Sequence, residues 1–130
     1  MNIHAVTLGV SDMDRAKSFY GTLFEDAEVL DKGGPCYFKL PGTWLALYPL
    51  DKLAAYCHVD SAGEGFRGVT LSINLESAQA VDALCARMRS AGADVPMPPG
   101  PASWGGHIAW IQDADGHLFE LVWNPSLSPG

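Results

Sequence analysis

Apolar and polar positions along the chain follow two rhythms, and the same succession of rhythms occurs twice. Residues 3–10, "IHAVTLGV", have the two-residue period of a strand. Residues 11–24, "SDMDRAKSFYGTLF", place Met13, Ala16, Phe19, Tyr20 and Leu23 on one stripe of a helix that Ser11 or Asp12 can cap. Short strands are expected at 27–30, at 35–40 ("PCYFKL") and at 43–48 ("TWLALY"), with Pro41 and Gly42 in the hairpin between the last two. A polar, Gly-containing connector follows, with one helical turn expected near 51–56.

The succession then restarts. "GVTLSINLES" (68–77) reads as a strand leading into a helix capped at Ser77, with a stripe of Ala80, Val81, Leu84, Cys85 and Met88 and a stop at Gly92. "ADVPMP" opens a second set of strands, a Pro/Gly-rich loop is expected over 98–106, and "HIAWIQ" and "HLFELVW" are joined by the turn "DADG". Even the wording recurs, "AVTLGV" against "GVTLSI" and "GTWLALY" against "GHLFELV". The pattern predicts one α+β domain over 1–130 built from two βαβββ modules, 1–50 and 67–125, with a connector at 51–66 and a tail at 126–130.

Alternation says which side chains share a face of each sheet. Val6, Leu8 and Val10 form the apolar set of the first strand, leaving Ala5, Thr7 and Gly9 opposite; in the repeat Val69, Leu71, Ile73 and Leu75 go to the core, leaving Gly68, Thr70, Ser72 and Asn74. This second face, small or polar in both modules, reads either as the floor of a cavity or as a solvated sheet face. Trp44, Ala46 and Tyr48 share its phase in the first module, and Leu118, Glu120 and Val122 in the second, so Ala46 is the internal counterpart of Glu120. Trp110, between Ile108 and Gln112, joins them; Tyr37, Phe66 and Trp104 are placed at the rims. Trp123 is in phase with Phe119 and Leu121 and is read as core, while Trp104 has the alternative role of pinning the Gly-rich loop.

Composition narrows the function. Fifteen acidic residues stand against eight Lys and Arg, a formal charge of -7, with no basic cluster, which argues against nucleic acid or an anionic membrane surface as partner. Three cysteines, Cys36, Cys57 and Cys85, lack C-x-x-C spacing, and no secretory leader or membrane-spanning run is read, so a reduced, cytoplasmic chain is expected. Within this picture Glu120 is the anomaly, a carboxylate in an otherwise apolar strand, and burying one unpartnered costs several kcal/mol or more. Thr7, Thr70 and Ser72 are its expected hydrogen-bond partners.

The stretches "VTLGVSDMDRAKSFYGTLF" and "WGGHIAWIQDADGHLFELVWNP" resemble the opening and closing signatures of the vicinal oxygen chelate superfamily, the glyoxalase/bleomycin-resistance/extradiol-dioxygenase group. The resemblance implies a cupped mixed sheet with helices on its outer face, and a homodimer with clefts between subunits. It also implies a divalent metal in many members, held by His or Glu at positions that fall here on Ala5, on Thr70 or Gly68, on Ala46 and on Glu120. One ligand of that set remains, and a lone carboxylate does not hold a transition metal firmly. His4 lies one residue out of register and is expected to face away; His58, His107 and His117 are read as connector, core-side and turn residues.

These readings lead to an expected function without metal or other cofactor: sequestration of a planar aromatic natural product or antibiotic, giving drug resistance. The ligand-binding set is Tyr37, Trp44, Ala46, Tyr48, Phe66, Thr70, Ser72, Asn74, Trp104, Trp110 and Glu120, and no catalytic residue is assigned. The acidic balance favours a neutral or cationic ligand, and no basic group is read on the second face. One alternative is a metal-free isomerase, epimerase or cyclase with Glu120 as general acid or base. Others are a metal-dependent lyase or dioxygenase completed by another residue, and a structural dimer whose cleft binds nothing specific.

Overall fold

The structure, a computed structural model, describes residues 1–126. The chain divides into two compact units, Met1–Glu64 and Gly65–Gly130. Each is a βαβββ module around its own four-stranded mixed sheet. Of the expected tail, residues 127–130 lie outside the described residues.

In the first module β1 (Ala5–Val10) is followed by α1 (Met13–Leu23), then β2 (Glu28–Asp31), β3 (Cys36–Lys39) and β4 (Trp44–Pro49), ordered β1-β4-β3-β2 in the sheet. Asp12 caps α1, its carboxylate accepting from the Arg15 N–H at 3.0 Å. Of the expected stripe the helix buries Ala16, Phe19, Tyr20 and Leu23, while Met13 at its first position is half-buried. Leu8, Val10, Phe38, Leu45 and Leu47 are buried on the strands, and Tyr20 and Phe24 pack against Phe38. Pro49 leads directly into α2 (Leu50–Cys57), a full helix where the connector pattern predicted a single turn. None of its residues is buried, Pro49 offers no capping side chain, and His58 closes it in the left-handed region at φ 61°.

In the second module β5 (Thr70–Asn74), α3 (Ala78–Ser90), β6 (Asp94–Pro101), β7 (His107–Gln112) and β8 (Leu118–Trp123) give the order β5-β8-β7-β6. Ser77 caps α3 through the Ala80 N–H, and Val81, Leu84, Cys85 and Met88 are buried with Ala109, Ile111, Phe119 and Leu121. His107 has the phase of Ala109 and its ring bonds Asp82 of α3 at 2.8 Å.

Two expectations are corrected. Val69 lies before β5 and is 64% exposed, because alternation sets the side of a residue and not its depth. The first part of the loop expected at 98–106 is strand: β6 runs to Pro101 through four prolines, tolerated because it is an edge strand with register shifts around Met97, and only 102–106 form the loop.

The cysteines are free: Cys36 and Cys85 buried, Cys57 exposed. Burial pushes the Cys36 and Cys85 thiols up. Under native conditions DTNB is expected to titrate Cys57 rapidly and the other two only after unfolding. Since unfolding releases those thiols to ionise at their ordinary value of about 8.5, stability should fall as pH rises above it. A pH series of urea unfolding curves checks the sign.

Candidate functional site

In each sheet the face opposite α1 or α3 carries the strand residues singled out above, and the ladders place them in matching cross-strand rows. In the first module Thr7 pairs Ala46, which pairs Tyr37. In the second Ser72 pairs Glu120, which pairs Trp110, which pairs Met97. Each row thus runs from a hydroxyl through a central residue to an aromatic ring. At the centre one module has a methyl group and the other a carboxylate.

Glu120 is half-buried and accepts a hydrogen bond from the Ser72 hydroxyl at 2.9 Å, one of the partners expected for it. Thr70 and Asn74 flank Ser72 on the same face and are exposed. Trp110 is half-buried beside Glu120. The carboxylate is therefore held by a neutral donor from the adjacent strand, with a tryptophan on the opposite strand.

The first module supplies an aromatic cluster in place of the acid. Tyr37 meets Trp44 edge-on at 5.9 Å between centroids and belongs to the central row with Ala46 and Thr7, closer in than the rim position assigned to it. Tyr48 lies beside Gly9 at the far end of the face. Two members of the cluster were not among the expected residues. Lys39 has the parity of Tyr37, and its ammonium sits 5.3 Å over the Trp44 ring while pairing with Glu28 at 3.1 Å, so the second face does carry a basic group. His4 stands 5.1 Å from Trp44, ring to ring, rather than pointing away; it precedes β1, where strand alternation no longer applies. Trp44 is thus held on several sides, a rigid rather than a swinging platform.

Trp104 and Phe66 are more than half exposed and lie outside the strands. Trp104 folds its ring onto Gly106, the loop-pinning role read as its alternative. Phe66 sits in the irregular segment before β5.

The metal that the family resemblance implies does not fit this donor set. Ala5 and Ala46 offer methyl groups, Thr70 a hydroxyl, and Glu120 a single carboxylate already bonded by serine. Among the described residues no three His, Cys, Asp or Glu side chains gather into a group able to hold an ion. Nor is any helix among them long and apolar enough to cross a membrane.

Duplicated βαβββ modules with this facing arrangement define the Glyoxalase/Bleomycin resistance protein/Dioxygenase superfamily, and the chain belongs to it: the family profile matches residues 2–121. Among curated proteins it is similar to the metallothiol transferase FosB of Shouchella clausii, 33% identical over 120 residues, covering 92% of this chain and 77% of that one. Among solved structures it is similar to a glyoxalase-related enzyme from Fulvimarina pelagi, at 25% identity and a TM-score of 0.90 over 100% of this chain and 93% of that chain. Its fold also matches the fosfomycin resistance protein FosX of Listeria monocytogenes, at 23% identity and a TM-score of 0.74 over 97% of this chain and 95% of that chain.

Proposed function

We propose that this chain is a homodimeric small-molecule-binding protein that holds a planar aromatic compound on the second face of its sheets without a metal ion, and so gives resistance to that compound. The observation that carries the reading is the pair of matched rows. Each sets an aromatic ring beside its central residue, and the polar centre that remains, Glu120, accepts a hydrogen bond from Ser72. Aromatic contacts of the kind Tyr37, Trp44 and Trp110 offer contribute about 0.5–1.5 kcal/mol each beyond area burial. Lys39 over Trp44 adds tolerance for an electron-rich or anionic ring substituent, which revises the preference drawn from net charge alone. The family description includes bleomycin resistance, and FosX is named a fosfomycin resistance protein, which supports a resistance setting.

Native mass spectrometry before and after exposure to flavins, anthraquinones, bleomycins and mitomycins tests this. A metal-free dimer that returns its ligand with unchanged mass and retention time is the expected result. Trp44→Ala or Trp110→Ala should weaken binding at least tenfold with the fold retained, whereas Glu120→Gln should cost only a few-fold, the loss of one hydrogen bond. A stoichiometric divalent ion, or fosfomycin consumed together with a thiol, would place the chain with the metallothiol transferases instead. A second reading, acid–base catalysis by Glu120, is favoured by its fixed hydrogen bond; there Glu120→Gln abolishes turnover and spares affinity.

A further inference from the structure

The duplication supplies an internal control for each position on the second face. By their partners across the ladder, Thr7 corresponds to Ser72 and Gly9 to Asn74, since Gly9 pairs Tyr48 of β4 and Asn74 pairs Val122 of β8. Asn74 carries an exposed side chain. Gly9 carries none, yet it is buried, while Thr7 two residues earlier on the same face is exposed.

What covers Gly9 is Leu50, the first residue of α2. A Cβ at position 9 would stand 2.7 Å from Leu50 Cδ1 and 3.2 Å from Leu50 Cα. That direction is the one shared by Ala5 and Thr7, so the Leu50 side chain fills on the second face the volume that residue 9 leaves empty. Leu50 keeps 39% of its own surface exposed. In the second module β8 runs on into Asn124 and Pro125 with no helix among the described residues, so this wall belongs to the first module alone.

We propose that Leu50, admitted by Gly9 and positioned by α2, is the end-stop of the ligand-binding face beyond Tyr48 and determines how long an apolar substituent that face accepts. This rests on the second face being the binding surface. The end it closes is hydrocarbon and phenol, suited to an alkyl tail on an aromatic head; the other end of the face, with Lys39 and His4 around Trp44, is the polar one.

Titration of the protein with methyl through octyl 4-hydroxybenzoate, followed by tryptophan fluorescence, tests the assignment. In the parent protein affinity should rise about fourfold per methylene until the tail reaches Leu50, and then level off. Leu50→Ala should move that limit outward by about two methylenes, and Leu50→Phe should move it inward by one or more. Far-UV circular dichroism confirms that both variants are folded, as expected for a residue that keeps 39% of its surface exposed on a helix none of whose residues is fully buried. A limit that stays put in both variants overturns the end-stop while leaving the binding face standing. If no member of the series binds the parent protein, the face itself has been misassigned and the end-stop falls with it.

Discussion

Replacing Gly106 by alanine should lower the midpoint of thermal unfolding by roughly 10 °C, the largest stability effect expected from a single added methyl group in this chain. Gly106 lies at the foot of β7, where the 102–106 loop closes through the Ala102 N–H to the Gly106 carbonyl at 2.8 Å. A Cβ there would overlap the six-membered ring of Trp104 and come within 2.5 Å of the Trp123 carbonyl oxygen. The indole can swing away, since Trp104 is 52% exposed. The carbonyl cannot, because Trp123 is the paired neighbour of His107 in the β7–β8 ladder. Overpacking of this kind costs about 1–3 kcal/mol, and a backbone obstacle puts Gly106→Ala at the upper end. Trp104→Ala alone should be nearly neutral. The double variant should recover less than half of the loss, because the carbonyl obstacle remains; full recovery would mean that the ring was the whole obstacle.

The second large effect is expected at Asp113, 5% exposed at the turn between β7 and β8. Its Oδ1 accepts from the Asp115 N–H at 2.9 Å and the His117 N–H at 2.8 Å, and the Gly116 N–H returns to its carbonyl at 3.2 Å with φ 89° at the glycine. The "DADGH" run is thus a turn assembled around one carboxylate, with glycine where the left-handed backbone demands it. Asp113→Ala leaves two backbone donors without their acceptor and should cost about 2–3 kcal/mol, a fall in midpoint of roughly 8–10 °C; Asp113→Asn, which keeps an acceptor oxygen, should restore more than half. β8 begins at Leu118 and the turn sets its register, so the alanine variant should also weaken the binding proposed for the face that carries Glu120. Equal stability of the alanine and asparagine variants would assign the turn to Gly116 instead.

Much of this architecture was legible because it is local or repeated. The cap at Ser77, the stripes of α1 and α3 and the facing of Ala46 and Glu120 follow from spacing, and the structure places them there; for α1 spacing offers Ser11 or Asp12, and the structure selects Asp12. Ser72 was among three hydroxyls proposed for Glu120, and the register selects it because it is the directly paired one. The features that escaped are those decided between distant residues or at element ends. Lys39 was legible by parity, but a lysine at the end of a strand reads as surface until its ammonium is seen over Trp44. His4 lies beyond the first paired residue, so its parity predicted nothing. No periodicity joins Gly9 to Leu50; the glycine looked like one more small residue on a small-residue face, when it is the gap into which a helix is fitted. Residues 98–101 read as the start of a loop because a proline penalises an inner strand, and the sheet order shows that β6 is an edge strand, where prolines are tolerated.

That outer strand bears on how the chain behaves in crowded or partly unfolded conditions. With proline at 96, 98, 99 and 101, β6 presents an edge that has few amide donors and whose spacing is interrupted, so an incoming strand finds no continuous template along it. Runaway cross-β growth therefore has no foothold on that flank of the second sheet. The apolar strands of the sheet, Phe119 and Leu121 among them, grow no further in that direction than the fold itself requires.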